Sequence, residues 1–250
     1  MIRMTEMVKH LLIINIIFFV ASYVMPHLQS LLALYYFENP QFHFWQPLTH
    51  MFMHGGLMHL FFNMFALVSF GSALEQFWGG KKFLFFYFSC GLGAMLLHTG
   101  VNFYMFHSGL DTLVANGLDK AQFFDLLQQD KYDTNWLTYL SQSRLDGMLS
   151  SYLTPAVGAS GAIYGLLVAF AFMFPNAELA LMFVPVPIKA KYFVPGLLAI
   201  DLYLGLKGAS LFGSGGGTGV AHFAHLGGAL FGYIMMWYWK RNQFNNNRWN

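Results

Sequence analysis

The sequence predicts an all-α polytopic membrane protein, a bundle of six transmembrane helices. Of its 250 residues, 56% are hydrophobic and only 10% are charged, whereas about a quarter of the residues in soluble domains are charged. Apolar runs close to the roughly 20 residues that cross a bilayer recur along the chain. These runs lack the short alternating strands of a membrane β-barrel, so helices are the predicted spanning elements.

Six apolar segments supply the predicted spans. They cover approximately residues 8–24, 57–77, 83–104, 160–174, 192–212 and 220–239. Gly79-Gly80 is expected to break the second segment. The N-terminal segment has no small-residue cleavage site, so we expect a retained helix rather than a signal peptide.

Residues 107–154 differ in composition from the rest of the chain. They hold six aspartates against two lysines and one arginine. We therefore expect a soluble, outward-facing insertion of short amphipathic helices between the third and fourth spans. The whole chain, 1–250, is otherwise expected to form a single membrane domain.

The distribution of lysine and arginine predicts the orientation. Six spans place nine of these residues on one side and four on the other. Both termini are thus expected in the cytoplasm, with the insertion and the start of the fourth span on the outer side. Since no organelle-targeting pattern is visible, a bacterial cytoplasmic membrane is the expected location.

Charge and cysteine content restrict the possible functions. The formal net charge is +2 and no basic run occurs, so the chain lacks the electrostatic features of a nucleic-acid-binding protein. The single cysteine, Cys90, cannot form an internal disulfide, and its apolar surroundings predict a buried structural thiol.

The first candidate site residue is Ser160, in Gly158-Ala159-Ser160-Gly161 at the predicted start of the fourth helix. Small neighbours allow close approach to its hydroxyl and amide, and a helix N-terminus favours a developing oxyanion. The soluble-hydrolase motif G-x-S-x-G is absent, because position 162 is alanine. Gly161 and Gly165 also have GxxxG spacing, so plain helix packing is an alternative interpretation.

His225 is the candidate base. His225, Gly228 and Gly232 share one face of the sixth helix. Packing of this glycine face against the fourth helix would bring the imidazole within hydrogen-bonding reach of Ser160, and Tyr164 could pack on its ring. An intramembrane histidine is costly and indicates function. The alternative is a structural hydrogen bond between helices, which is our interpretation of His222.

Further polar residues surround the start of the second helix. His59 and Asn63, at i and i+4, are predicted to donate to an oxyanion. His54 is expected to line a polar cavity together with these two residues. The rival interpretation is a metal site, because His50 and His54 would share a helical face and histidine is a common ligand. No H-E-x-x-H motif occurs, and we expect neither a metal nor a cofactor.

Taken together, these motifs resemble the rhomboid family of intramembrane serine proteases. The resemblance covers roughly residues 40–105 and 155–240. It is carried in order by Phe44-Trp45, His50, His54, His59-x-x-x-Asn63, Gly71, Glu75, Gly158-Ala159-Ser160-Gly161, Tyr164, Ala224-His225, Gly228 and Gly232. Many members have Trp-Arg where this chain has Trp45-Gln46, which leaves any role of that arginine in doubt here.

The resemblance implies a serine endopeptidase that cuts in or near transmembrane segments of other proteins. Ser160 would be the nucleophile and His225 the general base, with no aspartate in the usual third position. His59, Asn63 and the Ser160 amide would form the oxyanion hole. The expected partners are transmembrane substrates and the lipid bilayer, and residues 207–219 are expected to form a mobile lid.

Two other functional classes remain open from the sequence. One is a catalytically inactive relative that binds membrane clients, which retention of both Ser160 and His225 disfavours. The other is a histidine-ligated metal or haem protein.

Asp201 interrupts the fifth span, and its role is less clear from the sequence. Counting residues from the outer helix ends places it about one turn deeper than His225. This predicts a structural partner or a protonated acid rather than a carboxylate that orients His225. His98, in the third span, is predicted to be a satisfied contact between helices.

Overall fold

The structure is a computed structural model that describes residues 3–129, 131–181, 184–207 and 220–245. The regular secondary structure of this part of the chain is helical apart from one short hairpin and one isolated β-bridge. The helices are α1 Glu6–Val24, α2 His27–Leu32, α3 Gln46–Thr49, α4 Leu57–Ala66, α5 Ser72–Trp78, α6 Gly80–Ala115, α7 Lys120–Gln128, α8 Gln142–Leu153, α9 Ser160–Met173, α10 Ala190–Lys207 and α11 Val220–Asn245. The hairpin, which the sequence analysis missed, pairs β1 Glu178–Leu181 with β2 Val184–Lys189 in antiparallel register.

Three helical segments of the described chain are long and apolar enough to cross a membrane. They are Glu6–Val24, Leu57–Trp78 and Gly80–Ala115, with mean hydropathies of 1.9, 1.6 and 1.5. The prediction of a helical membrane protein is therefore confirmed. The third of these segments was expected to end near Tyr104, but α6 continues to Ala115.

The second segment consists of α4 and α5 joined by a π-helical turn, Leu67–Gly71. It ends at Gly79, whose φ of 76° lies in the left-handed region that favours glycine. The expected break at Gly79-Gly80 is thus observed. The π-helical turn leaves Gly71 facing α1, where an added Cβ would lie 3.0 Å from Val8.

Buried Glu75 of α5 holds the start of α1. Its carboxylate accepts hydrogen bonds from the backbone amides of Met7 and Val8, both at 3.0 Å, and from the Thr5 hydroxyl. The first amides of a helix have no partner within the helix. Glu75 therefore satisfies the N-terminus of α1 and at the same time ties that helix to α5.

The centre of the bundle lies where α6, α9 and α11 meet on small residues. A Cβ added to Gly228 would lie 1.8 Å from the carbonyl oxygen of Gly161, and one added to Gly232 would lie 2.8 Å from Gly165 Cα. The expected packing of the two glycine faces is therefore observed. Only glycine permits this backbone separation.

A second hydrophobic cluster involves the end of α6, with α7 and α8. Phe106, Phe123 and Leu145 are fully buried in it. The expected short helices of the insertion are thus present. Burial, together with nearby Glu38, raises the pKa of Tyr36 and of Tyr152, so both phenols pack in this cluster as neutral rings.

Candidate active site

Ser160 is the first residue of α9, and the loop before it is tied to other parts of the chain. The Gly158 amide donates to the His50 carbonyl at 2.9 Å, and Leu34 and Ala156 form an isolated antiparallel bridge. Gly158 has a φ of 126°, which favours glycine. A Cβ there would also lie 2.9 Å from the His59 ring. Glycine at this position therefore lets the imidazole of His59 approach the start of α9.

His225 contacts Ser160 directly. Its Nε2 atom lies 3.0 Å from the Ser160 Oγ atom. The ring of Tyr164 stacks on the imidazole, with centroids 4.2 Å apart and planes 9° apart. Both contacts match the expectation from the sequence. The stacking restrains rotation of the His225 ring, and a neutral imidazole in this position can accept the serine proton.

Asp201 lies beside His225 as well, which corrects the expectation from the sequence. Its Oδ1 atom is 3.3 Å from His225 Nδ1 and makes a hydrogen bond with His222 Nδ1. The expected depth difference of one turn is wrong, because counting residues along two helices does not determine how they are offset. Gly205 lies on the same face of α10 as Asp201 and packs against Phe223 and His222 of α11. This close approach helps to fix the position of α10 along α11. The interpretation of His222 as a link between helices is confirmed.

His59 and Asn63 lie on α4, one turn apart. The Gly55 amide donates to His59 Nδ1 at 3.4 Å. With Nδ1 as the acceptor, the proton of a neutral imidazole is on Nε2, the atom that faces Gly158. Asn63 is 6% exposed, and its Nδ2 atom has no hydrogen-bond partner among the described residues. A buried amide donor without a partner is unusual and is consistent with a group that binds a ligand.

A cavity of about 30 Å³ lies beside Ser160. This is enough space for one water molecule. From the sequence we expect a polar cavity lined by His54, His59, Asn63 and His225. The cavity observed beside Ser160 is lined by Gly158 and Gly161, with imidazoles from His50 and His98. His54 is instead buried edge-on against His59, with ring centroids 5.1 Å apart.

The sequence analysis did not recognise two polar residues near the site. Gln46 is fully buried, accepts from the Tyr35 amide and donates to the carbonyls of Leu31 and Gln41. It thus organises the loop at the position where many rhomboid proteins have arginine. Asn102 bonds to His98 beside the cavity, which supports the interpretation of His98 as a satisfied contact. The spacing of i and i+4 could have indicated this pair.

Metal-binding potential lies in a different place from the one considered in the sequence. Among the described residues, the ligand atoms of Asp201, His222 and His225 lie within 4.8 Å of one another. The pair considered earlier, His50 and His54, is not in this group, and His50 Nδ1 is 2.9 Å from the Gln46 carbonyl. The expected lid residues 208–219 lie outside the described part of the chain.

Known proteins with similar sequences share one domain. The model of the Rhomboid domain matches residues 41–242. The chain is 31% identical to the mitochondrial presenilin-associated rhomboid-like protein of Rattus norvegicus, over 57% of this chain and 34% of the relative. It is 28% identical to the mitochondrial Rhomboid protein 1 of Saccharomyces cerevisiae, over 75% of this chain and 39% of the relative. An uncharacterised mitochondrial rhomboid protein of Schizosaccharomyces pombe is 28% identical, over 88% of this chain and 56% of the relative.

These relatives also correct the expected location. The three proteins are named as mitochondrial, so the expectation of a bacterial cytoplasmic membrane is wrong. That expectation depended only on seeing no targeting pattern, and similarity to mitochondrial proteins overrides it. The matched regions span little more than a third of the rat and Saccharomyces cerevisiae proteins.

Proposed function

Because this chain belongs to the rhomboid family, we propose that it is an active intramembrane serine endopeptidase. Its substrates are membrane proteins, which it cuts in or near their transmembrane segments. The observation that carries the proposal is the 3.0 Å contact between His225 Nε2 and Ser160 Oγ. A nucleophile within hydrogen-bonding reach of a base is the arrangement that covalent catalysis by serine requires.

In the proposed reaction, Ser160 Oγ attacks the carbonyl carbon of the scissile peptide bond. His225 Nε2 accepts the hydroxyl proton and then donates it to the nitrogen of the leaving amine. In the second half, His225 accepts a proton from water as the water attacks the acyl-enzyme. The proton then returns to Ser160 Oγ as the acid product leaves.

The negative charge that develops on the carbonyl oxygen needs donors. We assign this role to the Ser160 amide, His59 and Asn63. The Ser160 amide is at the N-terminus of α9, where backbone N–H groups have no helical acceptor. The buried, unpartnered Nδ2 atom of Asn63 supports its assignment. Gly158 and Gly161 line the cavity beside Ser160, which supports assigning them to the active-site cavity, and His54 would support His59.

We further propose that six segments span the membrane: α1, α4 with α5, α6, α9, α10 and α11. The distribution of basic residues then puts both termini on one side, and Ser160 and the insertion 107–154 toward the other. The named relatives favour a mitochondrial membrane. Since Ser160 and His225 are both partly exposed, an unwound substrate segment could reach them.

The deciding experiment is cleavage of a single-span substrate in proteoliposomes by the wild type and by Ser160→Ala. We expect cleavage by the wild type and none by the variant. Ser22→Ala is the matched control, because Ser22 in α1 bonds only to its own helix, at Phe19, and this variant should cleave normally. Equal cleavage by Ser160→Ala would contradict the proposal, and binding of the substrate without cleavage by the wild type would favour a client-binding relative.

A further inference from the structure

We propose that Asp201 is a positioning residue that holds His225 in the tautomer and orientation needed for proton transfer from Ser160. The inference rests on the proposed function and extends the catalytic pair to a triad of serine, histidine and aspartate. It arises from a juxtaposition that the family resemblance does not imply, a carboxylate on α10 in contact with the second nitrogen of the catalytic imidazole.

The two contacts of His225 are on opposite sides of its ring. Nε2 is 3.0 Å from Ser160 Oγ, and Nδ1 is 3.3 Å from Asp201 Oδ1. An ionised carboxylate can only accept hydrogen bonds, so Nδ1 must be the atom that carries the proton of a neutral imidazole. Nε2 then presents its lone pair to the serine hydroxyl, which is the arrangement required of a general base.

The surroundings of Asp201 support an ionised carboxylate. The residue is only 3% exposed, and a buried charge is tolerated only when it is paired or hydrogen-bonded. His222 Nδ1 and His225 Nδ1 both bond to its Oδ1 atom, while Oδ2 has no hydrogen-bond partner among the described residues. Tyr164 stacks on the His225 ring and His222 bonds to the carboxylate, so two further side chains restrain the imidazole and its partner.

The carboxylate would also act during the reaction. When Ser160 attacks, its proton moves to His225 Nε2 and the ring becomes an imidazolium cation. Asp201 remains ionised, does not accept this proton, and stabilises the cation through Nδ1–H. The proton then passes from Nε2 to the leaving amine, so Asp201 takes part in no net transfer. The effect is strengthened because the carboxylate of Asp201 is shielded from water.

The rival explanation is that Asp201 serves only to tie α10 to α11 through His222. The variant Asp201→Asn separates the two, because its amide oxygen can still accept from His222 and keep the tie, and His222→Asn is the control. Asparagine at 201 keeps the size of the side chain but can donate to His225 Nδ1, which would put the ring proton on Nε2 and remove the base. Asparagine at 222 can still donate to Asp201, so it preserves both the tie and the orientation of His225.

Two measurements test the inference: kinetics in proteoliposomes, and nitrogen NMR of ¹⁵N-histidine-labelled protein, with His225→Ala to assign the signal. We expect Asp201→Asn to lower kcat about 10²- to 10⁴-fold, as loss of the correct tautomer does in serine proteases, with KM nearly unchanged. His222→Asn should stay within about tenfold of the wild type, since one neutral donor replaces another. The His225 signal should show protonated Nδ1 in the wild type and protonated Nε2 in Asp201→Asn.

Several outcomes would overturn the inference. A kcat of Asp201→Asn close to that of the wild type would do so, as would equal losses in both variants with an unchanged His225 tautomer. Protonated Nε2 in the neutral wild type would exclude the role outright. If the wild type cleaved no substrate, the proposed function would fail, but the NMR measurement would still decide whether Asp201 orients His225.

Discussion

At the scale of residues, the candidate site depends on a few polar groups placed inside an otherwise apolar bundle. Each has an identifiable contact: Ser160 with His225, His225 with Tyr164 and Asp201, and His59 with the Gly55 amide. Asn63 differs, because its buried amide nitrogen has no described partner. A donor of this kind is free to bond to a water molecule, a ligand or a reaction intermediate.

Replacement of Asn63 by alanine should therefore affect the transition state more than substrate binding. We expect kcat to fall about 10²- to 10³-fold, the usual cost of losing one oxyanion donor, with a small change in KM. The measurement is steady-state cleavage in proteoliposomes. Asn116→Ala is the matched control, because the Asn116 side chain is exposed and, among the described residues, bonds only to the Thr112 carbonyl one turn earlier. Unchanged turnover in Asn63→Ala would remove Asn63 from the oxyanion hole.

At the scale of elements, the site depends on how closely α9 and α11 approach. Ser160 is on the first of these helices and His225 on the second, so their 3.0 Å contact depends on the separation of two backbones. Glycines set that separation, since Gly228 packs on the Gly161 carbonyl and Gly232 on Gly165. The small residues that suggested simple packing thus also bring Ser160 and His225 into contact.

Gly228→Ala should disrupt the site without touching any polar group. The added Cβ would lie 1.8 Å from the Gly161 carbonyl oxygen, so α11 must shift away and carry His225 with it. We expect loss of most proteolytic activity and a lower melting temperature, because overpacking costs roughly 1–3 kcal/mol. Gly100→Ala in α6 is the control, since a Cβ there has open space around it. Full activity in Gly228→Ala would show that the backbone separation does not control the site.

At the scale of the whole molecule, the described chain has a main helical bundle and a second hydrophobic cluster in the insertion. The attachment of the first helix to the bundle depends on one buried carboxylate. Glu75 accepts from both the backbone and a side chain near the start of α1. Gly71 on the preceding turn packs against Val8 of the same helix.

Glu75→Ala should weaken this attachment. The buried amide of Val8 and the partly buried amide of Met7 would lose their acceptor, at a cost of roughly 1–3 kcal/mol for a buried group left unsatisfied. We expect a lower melting temperature in detergent and faster proteolysis near the N-terminus, while Ser160 and His225 keep their geometry. Gln76→Ala is the neighbouring control, because Gln76 is exposed and makes one long hydrogen bond, to the Arg3 carbonyl. Equal stability of the two variants would contradict this role of Glu75.

The sequence by itself determined the helical membrane fold, the break at Gly79-Gly80 and the approach of Ser160 to His225. These features follow from local regularities: apolar runs long enough to cross a bilayer, glycine at a helix end, and small residues on the same face as a histidine. A helical period places residues on a face without any knowledge of the partner helix.

Only the tertiary structure decided which residues on different helices meet. Asp201 reaches His225 because Gly205 lets α10 pack closely on α11, and this offset cannot be counted from helix ends. The cavity beside Ser160 has imidazoles from His50 and His98, which the sequence analysis did not place next to the serine. The physical reason is the same in both cases: depth and rotation of neighbouring helices are set by close packing of side chains far apart in the chain.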